Sequence, residues 1–161
     1  MRKGVGLPVF PGIAIGPAVV YSKIQRNLPV SSGDPALEKA KFEAALETAR
    51  QQLKALFEKA KVEIGEEQAA ILDVQLLMLD DPDYLDGVNK AIEDGAAAAI
   101  AALDTGEKFA RAFAAMDDAY MNARSADIQD VSHRLYDILC GNTDFQLPEG
   151  SFLLVAEDLA P

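Results

Sequence analysis

The sequence is short of the residues that carry most side-chain chemistry. Among 161 residues there is one cysteine, Cys140, one histidine, His133, and no tryptophan. A single cysteine excludes an internal disulfide framework and any multi-cysteine zinc site. A single histidine leaves little room for Ser-His or Cys-His catalysis, a histidine relay or a histidine-rich metal site. Cations are scarce as well. Lys and Arg number 15 against 26 Asp and Glu, a formal net charge of −11, and no basic block occurs. A chain of this charge is a poor partner for nucleic acid or an anionic membrane surface. No run reaches the roughly 18 apolar residues of a membrane-spanning helix. Met1-Arg2-Lys3-Gly4 does not open a signal peptide, so the expected location is the cytoplasm. Apolar surface, by contrast, is plentiful: 50% of the residues are hydrophobic, enough to build a sizeable core.

The first 21 residues differ from the rest. Residues 6–21 carry no charge and three prolines, and Ile13, Ile15, Val19 and Val20 favour extended chain. One or two short strands around a Pro-Gly turn are expected there, followed by a connector over 22–33. Asp34-Pro35 then starts a helix, Asp as the cap and Pro at the first helical position. Phe42, Leu46, Ala49, Leu53, Leu56 and Ala60 form one apolar stripe on a helix of about 27 residues. Gly65 interrupts it. A second helix runs from about Glu66 to Leu79, and Asp80-Asp81-Pro82-Asp83 breaks and restarts the chain into a third that reaches Asp94-Gly95. Residues 96–119 read as helix, with Thr105-Gly106 a candidate kink. The last helix spans Met121 to Cys140, and Gly141-Asn142 stops it. The tail reads as a turn followed by a buried strand, ending at Pro161. Apolar strands at both ends with nothing to complete a sheet suggest a piece of a longer protein, since a two-strand ribbon is marginal alone.

The lone histidine lies off the stripe of Ile128, Val131, Leu135 and Ile138, at about 140° from Ile128. It reads as a surface histidine near a helix C-terminus, where its charge suits the macrodipole. Cys140 reads as a small, partly buried residue. The pairs Asp80-Asp81 and Asp117-Asp118 read as a solvated face, because acid/base or metal work needs convergence from several elements. The Gly12–Gly16 stretch lacks the pattern and the following helix of a phosphate loop.

The second helix carries two apolar faces. Leu72, Leu76 and Leu79 lie on one side, suited to packing on the long helix. Ala70, Val74 and Leu77 lie nearly opposite, in company with Glu66 and Asp73. An apolar strip edged with acids fits a partner-binding face, in which apolar groups supply affinity and charges steer a basic partner. A helix packed between two neighbours, with acids at its margins, fits the pattern equally well.

Four segments now stand in one order: Pro11-Gly12-Ile13-Ala14-Ile15-Gly16-Pro17-Ala18, Gly65-Glu66-Glu67 with Leu77-Met78-Leu79-Asp80-Asp81, Arg124-Ser125-Ala126-Asp127-Ile128-Gln129-Asp130, and Val155-Ala156-Glu157-Asp158-Leu159-Ala160-Pro161. In that order and spacing the chain resembles enzyme I of the bacterial phosphoenolpyruvate:sugar phosphotransferase system, over essentially its whole length. The resemblance implies a protein that takes a phosphoryl group from phosphoenolpyruvate onto a histidine and passes it to the small phosphocarrier HPr. It implies a mainly α fold: an antiparallel bundle of two helical hairpins that docks HPr (residues 34–143), with terminal β segments (1–21 and 144–161) as edges of an incomplete α/β subdomain. Magnesium and phosphoenolpyruvate belong, by the resemblance, to a barrel domain absent here, so no cofactor is expected on these residues.

The glycine-rich Thr-Ser-His motif of the family's phosphohistidine is absent, and His133 inherits no role, so the chain alone is expected to transfer no phosphate. Carried over by position, the HPr-facing residues are Glu66, Glu67, Ala70, Asp73, Leu77 and Met78 on the second helix, Asp81 and Asp83 beyond it, and Phe113, Tyr120 and Arg124 from the last two helices. Gln75 and Leu72 stand where some relatives carry His and Phe, a departure that bears on fine specificity. A nitrogen-regulating paralogue or the phosphotransferase serving dihydroxyacetone kinase would use the same docking logic with another phosphocarrier.

Overall fold

The computed structural model describes residues 12–21, 29–142 and 150–156. The expectations for residues 1–11, for most of the connector and for 143–149 and 157–161 lie outside the described residues. The chain divides into two compact units, one holding two short strands and the other five helices.

The strands are β1 (Ala18–Tyr21) and β2 (Leu153–Ala156). They pair in parallel, Ala18 opposite Leu153 and Tyr21 opposite Ala156. A parallel pair needs a crossover, and here the whole helical unit lies between the two strands in sequence. The expected burial of the second strand is not found: Leu154 and Val155 are exposed, as is Val20. Two strands alone cover neither of their own faces.

The helices are α1 (Pro35–Glu63), α2 (Glu66–Leu79), α3 (Pro82–Glu93), α4 (Ala98–Ala114) and α5 (Ala119–Leu139). Side-chain caps start three of them. Asp34 accepts from the Ala36 N–H, Asp81 from those of Asp83 and Tyr84, and Asp118 from those of Tyr120 and Met121. Pro35 and Pro82 occupy first-turn positions. Gly141 closes α5 at φ +65°, with the Asn142 N–H reaching back to the Asp137 carbonyl.

Several boundaries and roles differ from expectation. The segment 96–119 is not one helix: α4 ends at Ala114, and Asp118 caps α5, which begins two residues before Met121. Asp81 and Asp118 are exposed, as the solvated-face reading expected, and serve as caps besides, and Asp80, also exposed, pairs with Arg50 at 2.6 Å. No break occurs at Thr105-Gly106, where α4 continues as helix. Gly106 is instead a point of close approach: a Cβ there would lie 1.9 Å from the Ser132 Oγ of α5. On α1 the stripe leaves Leu56 exposed, and Phe57 packs against the core in its place.

The bundle consists of two hairpins, α1 with α2 and α4 with α5, joined through α3. The core runs from Phe42, Leu46 and Leu53 on α1 through Leu72 and Leu79 on α2, and Tyr84, Val88 and Ile92 on α3, to Ile128, Val131 and Leu135 on α5. Small residues let α4 sit close: Ala98, Ala101, Ala102 and Ala110 are all buried in it. The α4 N-cap, Ala97, has no side chain to offer. Glu38 of α1 takes that place, its Oε2 accepting from the Ala98 N–H at 2.7 Å.

Candidate functional site

The two faces of α2 separate as the pattern suggested. Ala69, Leu72, Gln75 and Leu79 are buried, and Leu76 packs against the core. Glu66, Glu67, Ala70, Asp73 and Leu77 are exposed, and Leu77, a large apolar residue, is 72% accessible. Spacings of 4, 3 and 4 from Glu66 through Ala70 and Asp73 to Leu77 set them on one stripe. Glu66 bonds Lys61 of α1 at 3.0 Å, and its carboxylate raises the Lys61 pKa. Glu67, Asp73 and Asp83 make no ion pair among the described residues.

Beside this stripe lies a groove of about 210 Å³. Val74, Leu77 and Met78 of α2 form one wall. Asp81 and Tyr84 come from the start of α3, Phe109 and Phe113 from α4, and Tyr120, Met121, Arg124 and Ile128 from α5. Six of the residues expected to face a partner therefore line one depression: Leu77, Met78, Asp81, Phe113, Tyr120 and Arg124. Glu66, Glu67, Ala70 and Asp73 continue outward from it along α2. Asp83 is exposed in the first turn of α3 and does not line the groove. Gln75 and Leu72 face the core, at 1% and 6% exposure. Their departure from some relatives is thus a matter of packing beneath α2, not of the contact face.

The groove floor is aromatic. The Tyr84 ring meets Phe109 edge-on at 6.1 Å between centroids, and Phe109 meets Phe113 in the same way at 6.1 Å. Burial pushes the Tyr84 hydroxyl up to about 12, against the pull of its Ser132 hydrogen bond, so it is neutral at any ordinary pH. At the rim, Arg124 is a cation held in place. Its Nη1 bonds Asp127 at 2.9 Å, which raises its pKa, and its guanidinium lies 4.5 Å from the Tyr120 ring centre. The signal for Phe109 was present in the sequence, four residues before Phe113 on one helix face. Tyr84, Met121 and Ile128 carried no such signal, because only the tertiary fold brings them to the groove.

His133 is partly exposed on α5, its Nδ1–H donating to the Gln129 carbonyl at 2.8 Å, and it does not line the groove. Among the described residues no three His, Cys, Asp or Glu side chains converge on a metal position. No helix among the described residues is long and apolar enough to cross a membrane.

Comparison with known proteins agrees with this architecture. Residues 5–124 match the family described as PEP-utilising enzyme, N-terminal. The phosphoenolpyruvate-protein phosphotransferase of Staphylococcus aureus is 33% identical over 166 residues, that of Bacillus sp. (strain S) 39% over 162, and that of Listeria innocua serovar 6a 35% over 162. Each match covers 97% of this chain, and the chain spans 28% of the length of these curated relatives. An NMR solution structure of Enzyme I (nEIt) is similar with a TM-score of 0.76 at 32% identity, over 94% of this chain and 63% of that one. A structure of the N-terminal domain of Enzyme 1 - Nitrogen gives 0.73 at 29%, over 93% and 63%. The two helical hairpins, the parallel strand pair and a match over most of the sequence lead to one assignment: the chain belongs to the PEP-utilising enzyme N-terminal family and is an N-terminal region of enzyme I type.

Proposed function

We propose that the helical unit docks the phosphocarrier HPr, and that the protein to which it belongs passes a phosphoryl group from phosphoenolpyruvate through a histidine to HPr for sugar uptake in the cytoplasm. In this reading phosphoenolpyruvate and magnesium act in the part of the relatives' length that the chain does not span, and the helical unit supplies the positioning that transfer between two proteins requires. The observation that carries the proposal is the continuity of the acidic stripe Glu66–Asp73 with the aromatic groove at Leu77 and Phe113. Apolar walls suit an apolar anchor from the partner, and the acids beside them suit flanking cations. Neither His133 nor Cys140 lines the groove.

A chemical-shift titration of the labelled chain with HPr from the same organism tests it. Saturable shifts that weaken with salt are expected on residues 66–83 and 113–124. Leu77→Ala should weaken binding about tenfold, as expected for a central apolar contact. Asp73→Lys should weaken it about fivefold at low salt and less at high salt. Unchanged affinity in both variants removes the proposed surface. The similarity to the N-terminal domain of Enzyme 1 - Nitrogen supports a second reading, the same module serving a nitrogen-branch phosphocarrier. A competition titration with both carriers separates the two.

A further inference from the structure

We infer that Tyr84 and Ser132 are a positioning pair for the groove: their buried hydroxyls fix the ring against which the docking surface is built. The consequence for binding rests on the docking reading above, whereas the geometry does not. Both residues are buried, one on α3 and the other on α5. The Tyr84 Oη lies 3.1 Å from the Ser132 Oγ and 3.2 Å from the Ala102 carbonyl of α4, and the Ser132 Oγ donates to the Ile128 carbonyl at 2.8 Å. The Ser132 proton goes to Ile128, and the single Tyr84 proton is shared between the Ser132 Oγ and the Ala102 carbonyl, so two hydroxyls tie three helices together. A buried network satisfied in this way is rigid, because any displacement leaves a polar group without a partner in a low-dielectric interior. Gly106 provides the space for it, since a Cβ there would overlap the Ser132 side chain.

The network is directly coupled to the groove. Tyr84 and Ile128 line it, and the Tyr84 ring sets Phe109, which sets Phe113, through two successive edge-on contacts. A phenylalanine in place of Tyr84 would fill nearly the same volume. What the hydroxyl adds is orientation, carried along the ring row to Phe113, one of the two aromatics expected to touch the partner. A groove whose rings sample other orientations binds more weakly by the fraction of time it is misshapen.

The test uses the full chain with Tyr84→Phe, Phe113→Leu and the double variant. Affinity for HPr is measured by calorimetry well below the unfolding temperature, and the aromatic signals of Phe109 and Phe113 are recorded without partner. Tyr84→Phe should weaken binding about threefold to tenfold, the scale of one net hydrogen bond, and should move or broaden both ring signals. In the Phe113→Leu background it should cost nothing further, because Phe113 is the route. A purely structural network would lower the unfolding midpoint while leaving affinity unchanged, or would make the two substitutions additive, and either result overturns the inference while the docking reading stands. If the unmodified chain does not bind HPr, the docking reading fails. The ring signals then decide the positioning claim alone, unmoved signals refuting it. Ser132→Ala, which removes one partner and keeps the tyrosine, should reproduce the pattern if Tyr84→Phe does not fold.

Discussion

Glu38 is 3% exposed in the first turns of α1, yet it holds a full set of donors. Its Oε2 accepts from the Ala98 N–H at 2.7 Å, and its Oε1 from the Ser32 N–H at 3.1 Å and the Lys41 ammonium at 2.8 Å. Burial alone would push the carboxyl up; the Ala98 N–H, Lys41 and Ser32 more than offset it and hold the pKa at about 2, below an ordinary value of 4.5. The folded-state pKa is therefore depressed. Stability from this group is fully present above about 4.5 and is lost as pH falls through about 2. At 1.36 kcal/mol per pKa unit the contribution is of order 3 kcal/mol. Glu38→Gln keeps the shape and loses the charge. It should cost about 2–3 kcal/mol at neutral pH, because an amide can accept from only part of the donor set and leaves the α4 N-terminus less well capped. Urea unfolding of both proteins from neutral pH to about 2, with the difference between them as the readout, cancels the many other carboxylates. That difference should be constant above about 4.5 and shrink steadily below it. A difference that does not change with pH, or none at neutral pH, refutes the reasoning.

Three further outcomes follow from packing. The Gln75 amide is buried with its Nε2 unpartnered among the described residues, so Gln75→Met should raise stability by about 1 kcal/mol in urea unfolding; a loss would mean the amide is satisfied. Gly106→Ala should destabilise by about 1–3 kcal/mol, because its Cβ meets the Ser132 Cβ at 2.4 Å as well as the hydroxyl. Ser132→Gly in the same chain should recover part of that loss, whereas no recovery would place the clash elsewhere. Asp118→Ala should cost about 1 kcal/mol and loosen the first turn of α5, visible as faster amide exchange at Tyr120 and Met121, whose N–H groups it holds; unchanged exchange there would remove it as the cap.

Helix identity was legible wherever local signals agreed. Asp34-Pro35 and Asp81-Pro82 mark two starts, and Gly65, Gly95 and Gly141 mark three ends, because each satisfies free backbone groups through residues adjacent in the chain. The reading failed where the deciding partner was distant. Asp118 looked like half of an acidic pair inside an alanine-rich helix, yet its carboxylate ends one helix and begins the next. Gly106 looked like a weak point in α4, yet its missing side chain is what lets α5 approach. Glu38, an ordinary exposed-looking acid in a charged helix, is the cap of α4 from 60 residues away. Its position alone could not reveal that.

The candidate site shows the same division from the other side. Its outer stripe, Glu66, Ala70, Asp73 and Leu77, is periodic within one helix, and spacing alone separates it from the buried Leu72 and Leu79. Its inner groove belongs to four helices, so no single periodicity describes it. The resemblance placed Phe113, Tyr120 and Arg124 on the partner's side, but Tyr84 beneath them has no surface pattern to read. This arrangement has a physical consequence. Residues on the stripe can change with little effect on the fold, since they are exposed and mostly unpaired. Residues of the floor are also core residues, so a change that alters the groove's shape also disturbs the bundle. Under the docking reading proposed above, charge at Glu67 or Asp73 is therefore the freer means of distinguishing one phosphocarrier from another, and the aromatic floor the fixed one. Charge exchange along the stripe should shift preference between carriers of different surface charge while leaving the unfolding midpoint nearly unchanged, and an equal loss of affinity for every carrier would show that the stripe does not discriminate.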